Sequence, residues 1–113
     1  MTASHPPRPT IARIRRGRAA PDKAEDYGRY LVEHGIVPLA RRALGVQLLR
    51  EDRPEAGEFV AISYWENVAA MSRFAGDDPR RIHHLERDPE FLLELPEAVQ
   101  ILEIATLPEG QGR

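Results

Sequence analysis

Cysteine is missing from this chain altogether, which removes disulfide staples, thiolate nucleophiles and sulfur ligands for zinc or iron. Such a composition suits a reducing, cytoplasmic setting. Long apolar runs are missing too: none approaches the ~20 residues that span a bilayer, so no membrane contact is expected. Met1 to Thr10 carries three prolines and no apolar stretch, unlike a secretory leader. Lysine is almost absent, with Lys23 alone against fifteen arginines, a bias best read as compositional. A basic surplus is lacking as well. The net charge of −2 argues against a nucleic-acid partner, although Arg8, Arg13, Arg15, Arg16 and Arg18 crowd the start.

What is present reads as one domain, since 113 residues leave no room for a second. A domain of this size buries roughly two-thirds of its unfolded surface, enough to fold without staples. Residues 1–9, with His5, read as a flexible lead-in, 10–107 as the domain, and 108–113 as a flexible tail. Ile11 to Ala19, bounded by Pro9 and Pro21, reads as the first strand. Pro21, Asp22 and Glu25 form a helix entry. Ala24, Tyr27, Leu31 and His34 then fall on one helical face. Gly35 and Pro38 interrupt the pattern, predicting a kink or restart through Leu39 to Ala43.

Gly45 to Arg50 and Glu58 to Trp65 read as a hairpin across a polar turn. Asn67 is a natural N-cap for a second helix that stops at Gly76. Asp78-Pro79 and Asp88-Pro89 look like caps opening short helices over Arg80 to Leu85 and Glu90 to Leu95. The same caps account for the acids Asp77, Asp78, Asp88 and Glu90 without an acid–base pair. Ala98 to Ile104 is the last strand. The predicted class is α+β: a ferredoxin-like βαββαβ order with a four-stranded antiparallel sheet and both helices on one face.

The strands carry apolar residues at both parities, whereas a one-sided sheet alternates. The second face is therefore expected to meet another copy in a two-fold homodimer. On strand one, Arg13 and Arg15 share a face and Arg16 and Arg18 share the other. Either pair can be merely solvated. Alternatively, one pair faces a pocket and binds an anionic or enolate oxygen.

Several features together resemble the antibiotic-biosynthesis-monooxygenase-like domain of the dimeric α/β-barrel superfamily. They are the Arg16-Gly17-Arg18 end of strand one, Tyr27 and Tyr30 on the first helix, and Phe59 through Trp65-Glu66-Asn67. Phe74-Ala75-Gly76-Asp77-Asp78 and Phe91-Leu92-Leu93-Glu94 complete the set, so the resemblance spans Ile11 to Ile104. It implies a dimeric α/β barrel with a pocket between sheet and helices, near Trp65 and Phe74. Tyr27, Tyr30 and Tyr64 join these two as substrate-binding candidates, with Arg13 and Arg15. Trp65 and Phe74 serve equally well as core aromatics.

Histidines are the catalytic candidates, titrating nearest neutral pH. His34 shares the inward face with Tyr27 and Leu31, as a general base or as a helix-end residue bonded to backbone. His83 and His84 follow the second helix. On a helical turn both cannot face one pocket, because neighbours differ by about 100°. Phe74 and His84 stand ten residues apart, like the aromatic and axial histidine of the haem-degrading branch. The aromatic is Phe rather than Trp and strand one lacks that branch's asparagine, so no cofactor is expected. His83, His84 and Glu86 have no recognised metal spacing, so no metal is expected.

Three readings stay open. One is a cofactor-free monooxygenase acting on an aromatic or polyketide-type small molecule. The second is a redox-neutral cyclase or lyase using the same pocket. The third is a non-catalytic dimer that binds a small ligand.

Overall fold

The computed structural model describes residues 8–108; His5 and most of the terminal segments fall outside that range. Strand β1 (Ile11–Ala19) lies in the middle of the sheet, antiparallel to β3 (Gly57–Trp65) on one side and β4 (Gln100–Glu103) on the other. Strand β2 (Gly45–Asp52) pairs with β3, giving the order β2-β3-β1-β4. The expected ferredoxin-like α+β sheet is therefore present, with every neighbouring pair antiparallel. Among the described residues no helix is long and apolar enough to cross a membrane.

Side chains alternate across a strand, so odd-numbered β1 and β3 residues share one face. Ile11, Arg13, Gly17, Ala19, Phe59, Ala61, Ser63 and Trp65 are buried there. The opposite face carries Ile14, Val60, Ile62 and Tyr64, all half-buried, with Leu49 and Leu102 exposed.

The first helix covers the buried face. A 3₁₀ turn over Pro21–Lys23 leads into α1 (Ala24–Leu31), whose Ala24, Tyr27 and Leu31 are buried at the predicted spacing. Where Gly35 and Pro38 predict a kink or a restart through Leu39 to Ala43, the helix widens into a π turn over Val32–Ile36 and resumes as α2 (Val37–Ala40), earlier than expected. The Val37 N–H reaches back five residues to the Val32 carbonyl. Pro38 has no N–H to donate, and the wide turn redistributes the carbonyls that it would leave unpaired.

Helix α3 (Val68–Ala75) begins as predicted: the Asn67 side chain accepts from the Ala70 N–H at 2.8 Å. It ends at Gly76, whose φ of 87° is a conformation that side-chain-bearing residues avoid.

Two predicted helices are corrected. Arg80 to Leu85 is not helical: Arg81 forms a β-bridge with Ala98, and Val99 N–H donates to the Arg80 carbonyl at 2.9 Å. Tertiary hydrogen bonds there replace the ones a helix would make. The last helix, α4, is only Asp88–Phe91, because Leu92 turns away to bridge Ala19 and Leu93 N–H bonds to Arg18. The last strand is likewise shorter than Ala98 to Ile104, its first residues being taken by the 80–81 segment.

Candidate active site

A hollow beneath the helices lies over Ala61 on strand β3. Its buried row runs Phe59, Ala61, Ser63, Trp65: large at both ends and small in the middle. Phe59 belongs to one core cluster, with Tyr27, Leu31, Phe91 and Leu92. Trp65 belongs to a second, with Ile11 and Met71. Between them lies a cavity of about 270 Å³. Arg13, Arg15 and Ala61 form its floor, Leu31 to Leu39 its roof, and Phe74 with His83, His84 and Leu85 its remaining wall. Gly35 belongs to the roof because a Cβ there would stand 3.0 Å from Leu31 Cδ1 and 3.4 Å from Leu85 Cδ1.

The two floor arginines are bound differently. Arg15 pairs through Nη2 with the carboxylate of Asp88, which is fully buried. Asp88 Oδ1 also accepts from the Tyr27 hydroxyl at 3.1 Å, and Oδ2 from the Leu85 N–H at 2.9 Å. Burial, above all, pushes the Tyr27 hydroxyl up from 10.0 to about 12. His84 Nδ1 stands 3.7 Å from Asp88 Oδ2, so a carboxylate backs one ring on the cavity wall. Arg13 has no carboxylate partner among the described residues. Its Nε and Nη2 each donate at 3.0 Å, to the carbonyls of Pro79 and Arg81. Burial, reinforced by the neighbouring Arg15 charge, moves its pKa down.

The structure brings Arg13, Arg15, His34, His83, His84 and Phe74 together on one cavity. The inward placement of His34 is corrected: helical spacing does not hold across the π turn, and its side chain is 59% exposed at the rim, against the Tyr30 ring. His83 and His84 both line the cavity, in an irregular segment to which the helical offset of about 100° does not apply; His83 Nε2 also contacts the Ala75 carbonyl at 2.9 Å. Trp65 stands behind the wall, stacked on Phe74 at 5.5 Å, with Nε1 donating to Ser63 Oγ. Tyr27 is core and meets the site through Asp88. Tyr30 lies outside the lining, its hydroxyl accepting from the Arg87 N–H. Tyr64 is on the opposite sheet face, bonded to Gln47, and is removed from the set that can touch a ligand in the cavity.

Asp88 is the addition. It was expected to cap a helix, but it occupies the first helical position and its side chain points back to Leu85, Arg15 and Tyr27. Asp78 likewise closes a turn onto the Arg80 N–H at 3.2 Å rather than capping a helix. Among the described residues no three His, Cys, Asp or Glu side chains gather as a metal site would require.

No protein-family model and no curated protein matches this chain. Solved structures do. One, from Bacillus cereus, is named as a presumed antibiotic biosynthesis monooxygenase; it shares 9% identity at a TM-score of 0.62, over 91% of this chain and all of the other. A second, from Bacteroides thetaiotaomicron and named in the same way, shares 17% identity at a TM-score of 0.50, over 93% of this chain and 96% of the other. The fold is that of an antibiotic-biosynthesis-monooxygenase-like domain.

Proposed function

We propose that the chain is a cofactor-independent, monooxygenase-like enzyme acting on an aromatic or polyketide-type small molecule. The observation that carries this reading is the cavity in which a histidine, His84, has a buried carboxylate at 3.7 Å behind it. A carboxylate on that side of the ring fixes which nitrogen is turned toward a substrate, the orienting role that a general base needs. His84 is therefore favoured over His34 and His83. It takes the proton of a phenol or hydroquinone, and the resulting anion passes an electron to O₂. Recombination of the radical pair gives a peroxide anion at the ring carbon, which takes the proton back from His84 to become a hydroperoxide. Loss of water leaves a quinone: one oxygen atom enters the product, the other leaves as water, and the substrate supplies both electrons. The apolar walls (Leu31, Ile36, Leu39, Phe74 and Leu85) keep the anion away from bulk water.

We also place two copies against each other through the open sheet face, where Ile14, Leu49, Val60, Ile62 and Leu102 would be covered. A cysteine-free chain fits the cytoplasm.

Oxygen uptake with a panel of naphthols and hydroquinones tests the reading. Turnover should need O₂, and His84→Gln should lower kcat by about 10²–10⁴-fold, with His34→Ala costing far less. Turnover that persists without O₂ would assign the pocket to a cyclase or lyase. If His34, His83 and His84 could all be replaced without loss, a binding protein would be the better account.

A further inference from the structure

Charge inside the cavity is unbalanced. Arg15 is neutralised by Asp88, but Arg13, only 6% exposed, faces no carboxylate among the described residues. Leaving the histidines aside, the two guanidinium groups of the lining and the carboxylate behind Arg15 leave one net positive charge. Arginine does not shed its proton in proteins, so the imbalance is permanent. Moreover, Arg13 Nη1 makes no hydrogen bond within the described residues. It is not sealed off either, since no side-chain nitrogen or oxygen there is both fully enclosed and unpartnered. A guanidinium on the cavity lining, held by two carbonyls and with its third nitrogen neither bonded nor enclosed, is a fixed donor awaiting an acceptor.

We propose that the cavity takes an aromatic hydroxy acid, its carboxylate pairing with Arg13 while its ring lies against Phe74 and Leu85. This rests on the cavity being the working site, as argued above, and adds the substrate's charge. A monoanion matches the single unbalanced positive charge. A phosphate dianion would need a second free cation, and Arg15 is already paired. The volume of about 270 Å³ lies at the small end of ligand sites, which span about 300–1,000 Å³, and suits one or two fused rings. The carboxylate does no chemistry in this scheme; it sets which end of the ring system enters first and holds it for the base.

Binding of naphthoate and of its neutral counterpart naphthylmethanol, each titrated by calorimetry and by the Trp65 indole N–H signal, separates the possibilities without turnover. Naphthoate is expected to bind at least about tenfold tighter, as a charge-assisted hydrogen bond allows. Arg13→Gln should abolish that preference while leaving the alcohol within about twofold, and Arg13→Lys should restore part of it. Equal binding of acid and alcohol to the unaltered protein, or a preference that survives Arg13→Gln, would overturn the charge argument and leave the cavity as a site. Binding of neither compound to the unaltered protein would overturn this inference and the enzymatic reading together. Arg13 also ties down the 79–81 segment, so Arg13→Gln could lose both ligands through collapse of the wall. Naphthamide, which keeps the shape of naphthoate without its charge, then decides on the unaltered protein: it should bind at least about tenfold more weakly than naphthoate, and equal binding would refute the proposal.

Discussion

Replacing Asp88 by asparagine removes one negative charge from the interior while keeping shape and volume. In the native chain, Oδ2 of that carboxylate receives Arg15 Nη2 and the Leu85 N–H, and Oδ1 receives the Tyr27 hydroxyl. Asparagine offers one acceptor oxygen to three donors. Pointed at Arg15 and Leu85, it sets its NH₂ against Tyr27, whose hydroxyl proton then has no partner. The larger loss is electrostatic, because Arg15 becomes a poorly solvated cation without a counter-charge. Breaking a buried pair from one side costs about 3–5 kcal/mol. The Arg15 side chain is 14% exposed and opens on the cavity, so water recovers part of this, placing the loss at about 3 kcal/mol. Against a total stability of about 5–15 kcal/mol that is severe, and it corresponds to a fall in Tm of about 10–20 °C. Urea unfolding followed by circular dichroism should show a lower midpoint with an unchanged slope. Adding Arg15→Met to Asp88→Asn removes the stranded cation, so the pair should be more stable than Asp88→Asn alone by about 1.5 kcal/mol or more. A loss below about 1 kcal/mol for Asp88→Asn, or strictly additive effects in the cycle, would refute this account of what holds the cavity floor.

Alkaline stability should report on Tyr27. Its folded value of about 12 lies above the ordinary 10.0, so the neutral hydroxyl stabilises the fold fully below the lower value and this is lost as pH rises toward the higher one. The change is about 2–3 kcal/mol, seen as a slope in unfolding free energy over that interval that Tyr27→Phe lacks. Gly57→Ala would set its Cβ 2.6 Å from Ala24 Cβ, a clash between two rigid elements. It should cost about 1–3 kcal/mol by chemical denaturation. Gly45→Ala, whose nearest neighbour is Tyr64 Cδ2 at 3.6 Å, should stay within about 0.5 kcal/mol. Ile62→Glu, in the middle of the open sheet face, should convert a dimer into monomers by sedimentation equilibrium without unfolding the chain; a monomeric parent protein would remove the proposed pairing.

The sheet was legible because its signals are local. The apolar run of β3, a side-chain cap at Asn67 and a helix-ending glycine at Gly76 each need only neighbours in sequence. Pairing Arg13 with Arg15 on one strand face needed only alternation, and both lie on the cavity floor. Residues 80–85 failed for the opposite reason. Asp78-Pro79 is a sound helix start in isolation, but Arg13, more than sixty residues earlier, takes the carbonyls of Pro79 and Arg81, and Val99 takes that of Arg80. The prediction for Asp88 failed in the same way, its partners Arg15 and Tyr27 being remote in the chain. One clue to the hollow was present: the small Ala61 in a buried row with Phe59 and Trp65. Of the misread stretch, His83, His84 and Leu85 line the cavity. Long-range hydrogen bonds that overrule local preference spend backbone groups on holding a space open, and consistency between local and global signals breaks where a site is built.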